Sequence, residues 1–314
     1  MDVTVGAIDC GTNSIRLLIA EATPDGLRDV HREMRIVRLG QGVDATGEFA
    51  PEALARTEAA LSDYVDLMRG HGVTRVRMVA TSAARDAGNR DDFFAMTARL
   101  LGTVSAGAVA EVITGTEEAE LSFRGAVGEL DPAAAPFVVV DLGGGSTELV
   151  LGGADGVQAS FSADIGCVRL KERCLYSDPP TEEQIAAART VVRERLAEAL
   201  QAVPVDIART WVGVAGTFTT LAALAHKLPE YDPAAIHLSR TAFGDLLPVC
   251  AELISMTGPQ RLALGPMHEG RADVIPGGAI IVQELARVMA ERAGLDELVV
   301  SEHDILDGIA LSIT

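Results

Sequence analysis

Short apolar runs and helical stripes alternate along this chain, the pattern of an α/β protein. Apolar runs at 3–9 and 15–21 flank Asp9-Cys-Gly-Thr-Asn-Ser14, which predicts strand, tight turn, strand. A third apolar segment, 35–40, leads into Gly40-Gln-Gly-Val. Between Pro51 and Gly70, Leu54, Leu61, Tyr64, Val65 and Met68 recur at helical spacing, and Gly70 and Gly72 end that helix. A strand over 73–80, a polar loop over 81–89 and a helix over 91–101 capped by Asn89 come next. A strand over 109–113 then leads to Thr114-Gly-Thr-Glu117-Glu118, and 123–136 reads as a connector.

The order then repeats. Runs at 137–141 and 147–152 flank Asp141-Leu-Gly-Gly-Gly-Ser146, and 157–165 alternates as a strand does. A long helix starts at Thr181, with Gln184 placed for a capping box, and runs to about Ala202. A strand over 209–214 is followed by Ala215-Gly216-Thr217, which opens a helix. The segment 241–293 reads as helices broken at Gly258, Pro259, Gly265, Pro266 and Pro276; a strand at 298–300 and a helix at 304–313 complete the chain. Two halves with one strand-hairpin-helix order predict two similarly built α/β domains that touch and hinge.

Composition narrows the picture. A chain of 314 residues has room for two domains, and 48% hydrophobic residues supply their cores and exclude wholesale disorder. No apolar stretch reaches the roughly 18–20 residues of a membrane span, and the first residues lack the basic and apolar regions of a secretory signal. A soluble, cytoplasmic protein is expected. The four cysteines form no CxxC pair, so a cysteine zinc site is not expected and buried, reduced thiols are. The six histidines show no close pairing at ligand spacing. A net charge of −19 argues against a general nucleic-acid binder. It also means that any bound polyanion must be held by local features: arginines, helix N-termini or metal ions. Of the 26 basic residues only Lys171 and Lys227 are lysines.

The turns carry the candidate chemistry. In Asp9-Cys-Gly11-Thr12-Asn13-Ser14, Gly11 lets the backbone approach a phosphate, amides and the Thr12 and Ser14 hydroxyls donate, and Asp9 is placed to hold a hydrated Mg²⁺. An ordinary hairpin would also tolerate that sequence. Asp141-Leu-Gly143-Gly144-Gly145-Ser146-Thr147-Glu148 is more telling. An ordinary hairpin needs at most two glycines, so close approach to an anion accounts for the third, and Asp141 and Glu148 could share one metal. Gly216-Thr217 at a helix start is a third possible anion site, or simply a capped helix. Glu117-Glu118 at a helix start is either dipole-satisfying or the source of a catalytic base, and Arg85 is either a solvated loop residue or a phosphate clamp.

Taken in order, Asp9–Ser14, Ala80–Asn89, Glu111–Ala119, Asp141–Glu148 and Gly270-Arg-Ala-Asp273-Val-Ile-Pro-Gly277 resemble the exopolyphosphatase/guanosine pentaphosphate phosphohydrolase family, over nearly the whole chain. That family belongs to the actin, sugar-kinase and chaperone-ATPase superfamily. The resemblance implies two ribonuclease-H-like (actin-like ATPase) domains facing a cleft, one formed by 1–117 with 301–314 and the other by 118–300. It implies Glu118 as the carboxylate that activates water, and Asp141 and Glu148 on the metal side, where the residue reading also puts Asp9. It implies Asn13, Ser14, Arg85, Gly143, Gly144, Gly145 and Ser146 as the phosphate cradle, to which the residue reading adds Thr12 and, at the third turn, Gly216 and Thr217. The implied cofactor is Mg²⁺, with Mn²⁺ as a substitute. The implied activity is release of orthophosphate from inorganic polyphosphate, with shorter chains favoured because larger relatives carry a further helical domain. Guanosine pentaphosphate is the alternative substrate, and an ATPase-like or kinase-like member and a non-catalytic alarmone sensor are the other readings. A homodimer without nucleic-acid or membrane partners completes the expectation.

Overall fold

In a computed structural model, residues 3–23 and 26–314 are described. The chain divides into two units, Met1–Gly125 with Ile305–Thr314, and Ala126–Asp304.

In the first unit β1 (Thr4–Cys10), β2 (Ser14–Thr23) and β3 (Gly26–Ile36) form an antiparallel meander. Helices α1 (Val43–Thr46) and α2 (Pro51–Gly70) precede β4 (Arg75–Ala80), which lies parallel to β1. After α3 (Ser82–Asp86) and α4 (Arg90–Leu101), β5 (Glu111–Val112) pairs in parallel with β4, and α5 (Gly115–Val127) leaves the sheet. The strand order is β3-β2-β1-β4-β5. Ile8, Ile15, Leu17 and Ile19 point to one face and pack with Leu61, Tyr64 and Met68 of α2 and Phe93 of α4. This alternation is what the apolar runs encode.

The second unit repeats the scheme. β6 (Phe137–Leu142), β7 (Thr147–Gly153) and β8 (Gly156–Ala163) form its meander, followed by α6 (Cys167–Cys174) and α7 (Glu182–Ala202). β9 (Thr210–Val214) runs parallel to β6 and feeds α8 (Gly216–Ala225). Then come α9 (Pro233–Ile236), β10 (Ser239–Ala242), α10 (Phe243–Ser255), α11 (Gly258–Leu262), α12 (Ile275–Ala293) and β11 (Glu297–Val300). The order is β10-β11-β9-β6-β7-β8. Val138, Val140, Leu149, Leu151, Trp211 and Leu298 pack with Val192, Phe218, Ile281 and Leu285 of the covering helices. Finally α13 (Ile305–Leu311) joins the first unit, where Ile305, Leu306 and Ile309 cover Val5, Ala7, Leu18 and Val79.

Several elements differ from the sequence reading. β3 occupies 26–36 rather than 35–40, and the supposed loop after β4 contains α3. The strand expected over 109–113 shrinks to two residues, and α5 runs through the first part of the expected connector. The Asn89 side chain does not cap α4; it clasps the Phe49 backbone in both directions, at 2.8 and 3.0 Å. Thr181 does accept from the Gln184 amide, but the Gln184 side chain accepts from the Tyr176 and Ser177 amides instead of closing a capping box. The unit boundaries fall after Gly125 and Asp304, so Glu118 and all but the last two residues of α5 lie with the first unit.

Candidate active site

β1, β4 and β5 are parallel, so their carboxyl ends share one edge of the first sheet, the edge at which parallel α/β sheets place ligand loops. The Asp9–Ser14 turn follows β1, α3 with Arg85 follows β4, and α5 with Glu118 follows β5. In the second unit β6, β9 and β11 are parallel in the same way, and the Gly143–Ser146 and Ala215–Thr217 turns leave the carboxyl ends of β6 and β9.

The two hairpin turns share a construction. The Gly11 amide donates to the Ser14 carbonyl at 2.9 Å, and the Gly143 amide to the Ser146 carbonyl at 3.0 Å. The turn carbonyls are tied back from behind. Asn13 O accepts from the Val37 and Arg38 amides and Thr12 O from the Gly40 amide, at 2.9–3.1 Å. In the second copy Gly143 O accepts from Cys167, and Gly144 O from Val168 and Arg169, each at 3.0 Å. These donors are the otherwise orphaned first amides of α6. The amides of Thr12, Gly144, Gly145 and Ser146 donate to no acceptor among the described residues. A turn whose carbonyls are held back while its amides stay unspent is an anion-binding nest.

The carboxylates divide sharply. In the hairpin registers, Asp9 lies opposite Arg16 and Asp141 lies opposite Glu148. Arg16 donates to Asp9 through Nε at 2.9 Å and Nη2 at 2.6 Å. Asp141 and Glu148 are 6% and 1% exposed, and Ser162 Oγ donates to Glu148 at 2.7 Å. The Glu117-Glu118 pair also separates. Glu117 is at the surface on Arg77, whereas Glu118 is buried and receives Arg85 Nη1 at 2.6 Å. The same Nη1 donates to Ile113 O, while Arg85 Nε and Nη2 donate to no acceptor among the described residues.

At the third turn, Ala215 sits at φ 71°, ψ 172°, and a Cβ on Gly216 would run into the Arg271 guanidinium. Arg271 Nη1 donates to Thr220 Oγ1 at 2.8 Å. Burial pushes the Cys167 thiol up to about 11, against the pull of the Arg271 charge and a hydrogen bond with Thr217. Burial and the Arg271 charge hold His268 below its ordinary value. All four cysteines are free and buried.

The sequence profile of the Ppx/GppA phosphatase family matches residues 18–313. The chain belongs to the Ppx/GppA phosphatase family. It is 69% identical over 313 residues to a protein named exopolyphosphatase 2 from Mycobacterium tuberculosis, covering 98% of each chain. A crystal structure described as an exopolyphosphatase-like protein is 44% identical, with a TM-score of 0.93 over 99% of this chain and 97% of that one. The crystal structure of the Aquifex aeolicus Ppx/GppA family member is 31% identical, with a TM-score of 0.81 over 99% and 97%. The architecture is the actin-like ATPase fold of that family, as the resemblance implied.

Within this Ppx/GppA phosphatase chain, the donor set of the second turn suits a hard divalent cation. Like charges directly opposite each other on paired strands are destabilising, and Mg²⁺ or Mn²⁺ takes carboxylate oxygens. Buried Asp141 and Glu148 fit that requirement. Asp9 was expected on the metal side as well; here it is paired with Arg16. The repeat itself carried the signal. The residue seven positions after the turn aspartate is Glu148 in one copy and Arg16 in the other. Gly166 was also missed, and Arg271 was read only as part of the Gly270–Gly277 segment, without a role of its own. A Cβ on Gly166 would strike the Gly144 carbonyl and the Gly145 nitrogen, a closeness that no local pattern announces.

Proposed function

We propose that this chain is an exopolyphosphatase that hydrolyses the terminal phosphoanhydride bond of inorganic polyphosphate and releases orthophosphate. The observation that carries the reading is the second turn, where unspent amides of Gly144, Gly145 and Ser146 stand beside two opposed buried carboxylates. The similarity to exopolyphosphatase 2 supports the same choice of substrate.

In this reading the nest amides of Gly144, Gly145 and Ser146 bind phosphoryl oxygens, with charge-assisted hydrogen bonds that offset the protein's overall negative charge. Thr12, Asn13 and Ser14 of the first turn act likewise, and Gly216 and Thr217 add the N-terminus of α8. Asp141 and Glu148 would hold Mg²⁺, or Mn²⁺, which when bound supplies positive charge to phosphate oxygens. Glu118 accepts the proton of the attacking water at its carboxylate. Arg85 fixes the Glu118 rotamer through Nη1 and keeps Nε and Nη2 for a phosphate. Burial of Glu118 on the first turn of α5 holds its position relative to β4 and β5.

Guanosine pentaphosphate is the competing substrate. Polyphosphate of defined lengths and guanosine pentaphosphate, assayed side by side with Mg²⁺, decide between them. The reading expects the higher kcat/KM on polyphosphate; a higher value on guanosine pentaphosphate, or no phosphate release from either, overturns it. We also propose, from the family resemblance, a cytoplasmic homodimer, which analytical ultracentrifugation tests. No helix among the described residues is long and apolar enough to cross a membrane.

A further inference from the structure

Away from the turns, three residues far apart in sequence converge inside the second unit. Glu129 lies just after the chain first enters that unit, and His303 just before it leaves after Asp304. His237 follows α9. One donor atom from each residue lies within 4.8 Å of the others. His303 Nδ1 is 3.1 Å from Glu129 Oε1, His237 Nε2 is 3.4 Å from Glu129 Oε2, and the two imidazole rings are 4.5 Å apart. Among the described residues no other group of three His, Cys, Asp or Glu side chains converges in this way.

We propose that Glu129, His237 and His303 form a binding site for a zinc-class transition metal. Two imidazoles and one carboxylate are the donor set of three-ligand zinc sites that keep a fourth position for water. Ligand bonds of roughly 2.0–2.2 Å put neighbouring donors about 3.4 Å apart, close to the separations seen. The Glu129 side chain is 57% exposed and His303 33%, which gives the ion a path from solvent. The set differs in kind from Asp141 and Glu148, whose oxygens suit Mg²⁺.

One contact opposes the metal. The Glu302 amide donates to His237 Nδ1 at 3.2 Å, so in the metal-free ring the proton sits on Nε2, facing Glu129. Metal binding at Nε2 needs the other neutral tautomer: the proton leaves Nε2, a proton takes its place on Nδ1, and the hydrogen bond from the Glu302 amide is given up. A single neutral hydrogen bond is a small term beside zinc held by three protein ligands. A bound ion would fasten residue 129 to residue 303, the two ends of the chain's stay in the second unit.

The test uses the full chain, stripped with a chelator and held in excess Mg²⁺ to fill the carboxylate site. Zn²⁺ is titrated in competition with a chromophoric chelator against wild type and the His237→Gln/His303→Gln double variant. The proposal expects one tightly held zinc per wild-type chain and its loss in the variant. No retained zinc, or equal retention by both proteins, overturns it. Should the variant fail to fold, Co²⁺ added to wild type reports on the same site. Intense visible bands of nitrogen-ligated four- or five-coordinate cobalt support the site, and the weak spectrum of octahedral oxygen-ligated cobalt overturns it.

Discussion

Replacing Gly166 by Ala tests whether the second turn is held in place from behind. The backbone at Gly166 is extended, at φ −153° and ψ 166°, so Ala adopts it without conformational strain. The cost is purely steric. Its Cβ would lie 2.5 Å from the Gly145 nitrogen and against the Gly144 carbonyl, and all of these are backbone atoms that cannot swing aside. Restoring ordinary contact of about 3.5 Å moves the turn by about 1 Å. Overpacking of this kind costs about 1–3 kcal/mol, a fall in Tm of about 2–12 °C for a unit of this size. A 1 Å displacement of a positioning group can cost about 10²-fold in rate. Differential scanning calorimetry and orthophosphate release should therefore show a moderately destabilised, folded protein with kcat/KM on polyphosphate reduced about a hundredfold. Gly156→Ala is the control. That glycine has φ 96° and open space around it. The change strains the β7–β8 turn, costing about 1–2 kcal/mol, and should leave kcat/KM unchanged. A folded Gly166→Ala protein with wild-type kcat/KM would refute the argument that α6 positions the turn.

Two further outcomes are expected. Ala215 occupies a backbone region that is almost exclusive to glycine and costs about 1–3 kcal/mol. Ala215→Gly relieves that strain and loses about 0.5–1 kcal/mol to unfolded-chain entropy, so calorimetry should show a net gain of up to about 2.5 kcal/mol; a lower Tm counts against strain at the third turn. Burial disfavours ionised Glu284, but hydrogen bonds and charge from Arg193 and Arg287 outweigh it and hold the carboxyl below its ordinary 4.5. Its contribution is present above pH 4.5 and is lost as pH falls through the lower folded value. Glu284→Gln should cost about 1.5 kcal/mol at pH 7, the low end for a charged hydrogen bond because its arginines are partly exposed. The gap to wild type should close on acidification, and a gap that stays constant to pH 3 would contradict the assignment.

Much of the scaffold was legible because its signals are local. Pro51, the stripe through Met68 and Gly70 define α2, and two apolar runs around a glycine turn define each hairpin. β3 was not legible, because it is an edge strand whose Arg28, Asp29, Arg32, Glu33 and Arg35 break the apolar pattern. Charged edges of this kind discourage further pairing. α6 was missed because eight residues give too little periodicity, and its start is set by the carbonyls of a turn more than twenty positions earlier. The candidate site was legible where its residues lie together on one hairpin, as at Asp141 through Glu148. It was not where a partner comes from another element, as with Arg85 on Glu118, Arg271 against Gly216, or the Glu129, His237 and His303 group.

The central claim rests on Glu118 as the base of phosphoanhydride hydrolysis. Glu118→Gln keeps the shape of the buried side chain and a hydrogen-bonding oxygen for Arg85 while removing the basic carboxylate. Orthophosphate release from polyphosphate with Mg²⁺, measured alongside equilibrium binding of the same polymer, is the direct test. The account predicts a loss of about 10²–10⁴-fold in turnover with binding retained. Release at the wild-type rate by a folded Glu118→Gln protein would contradict it.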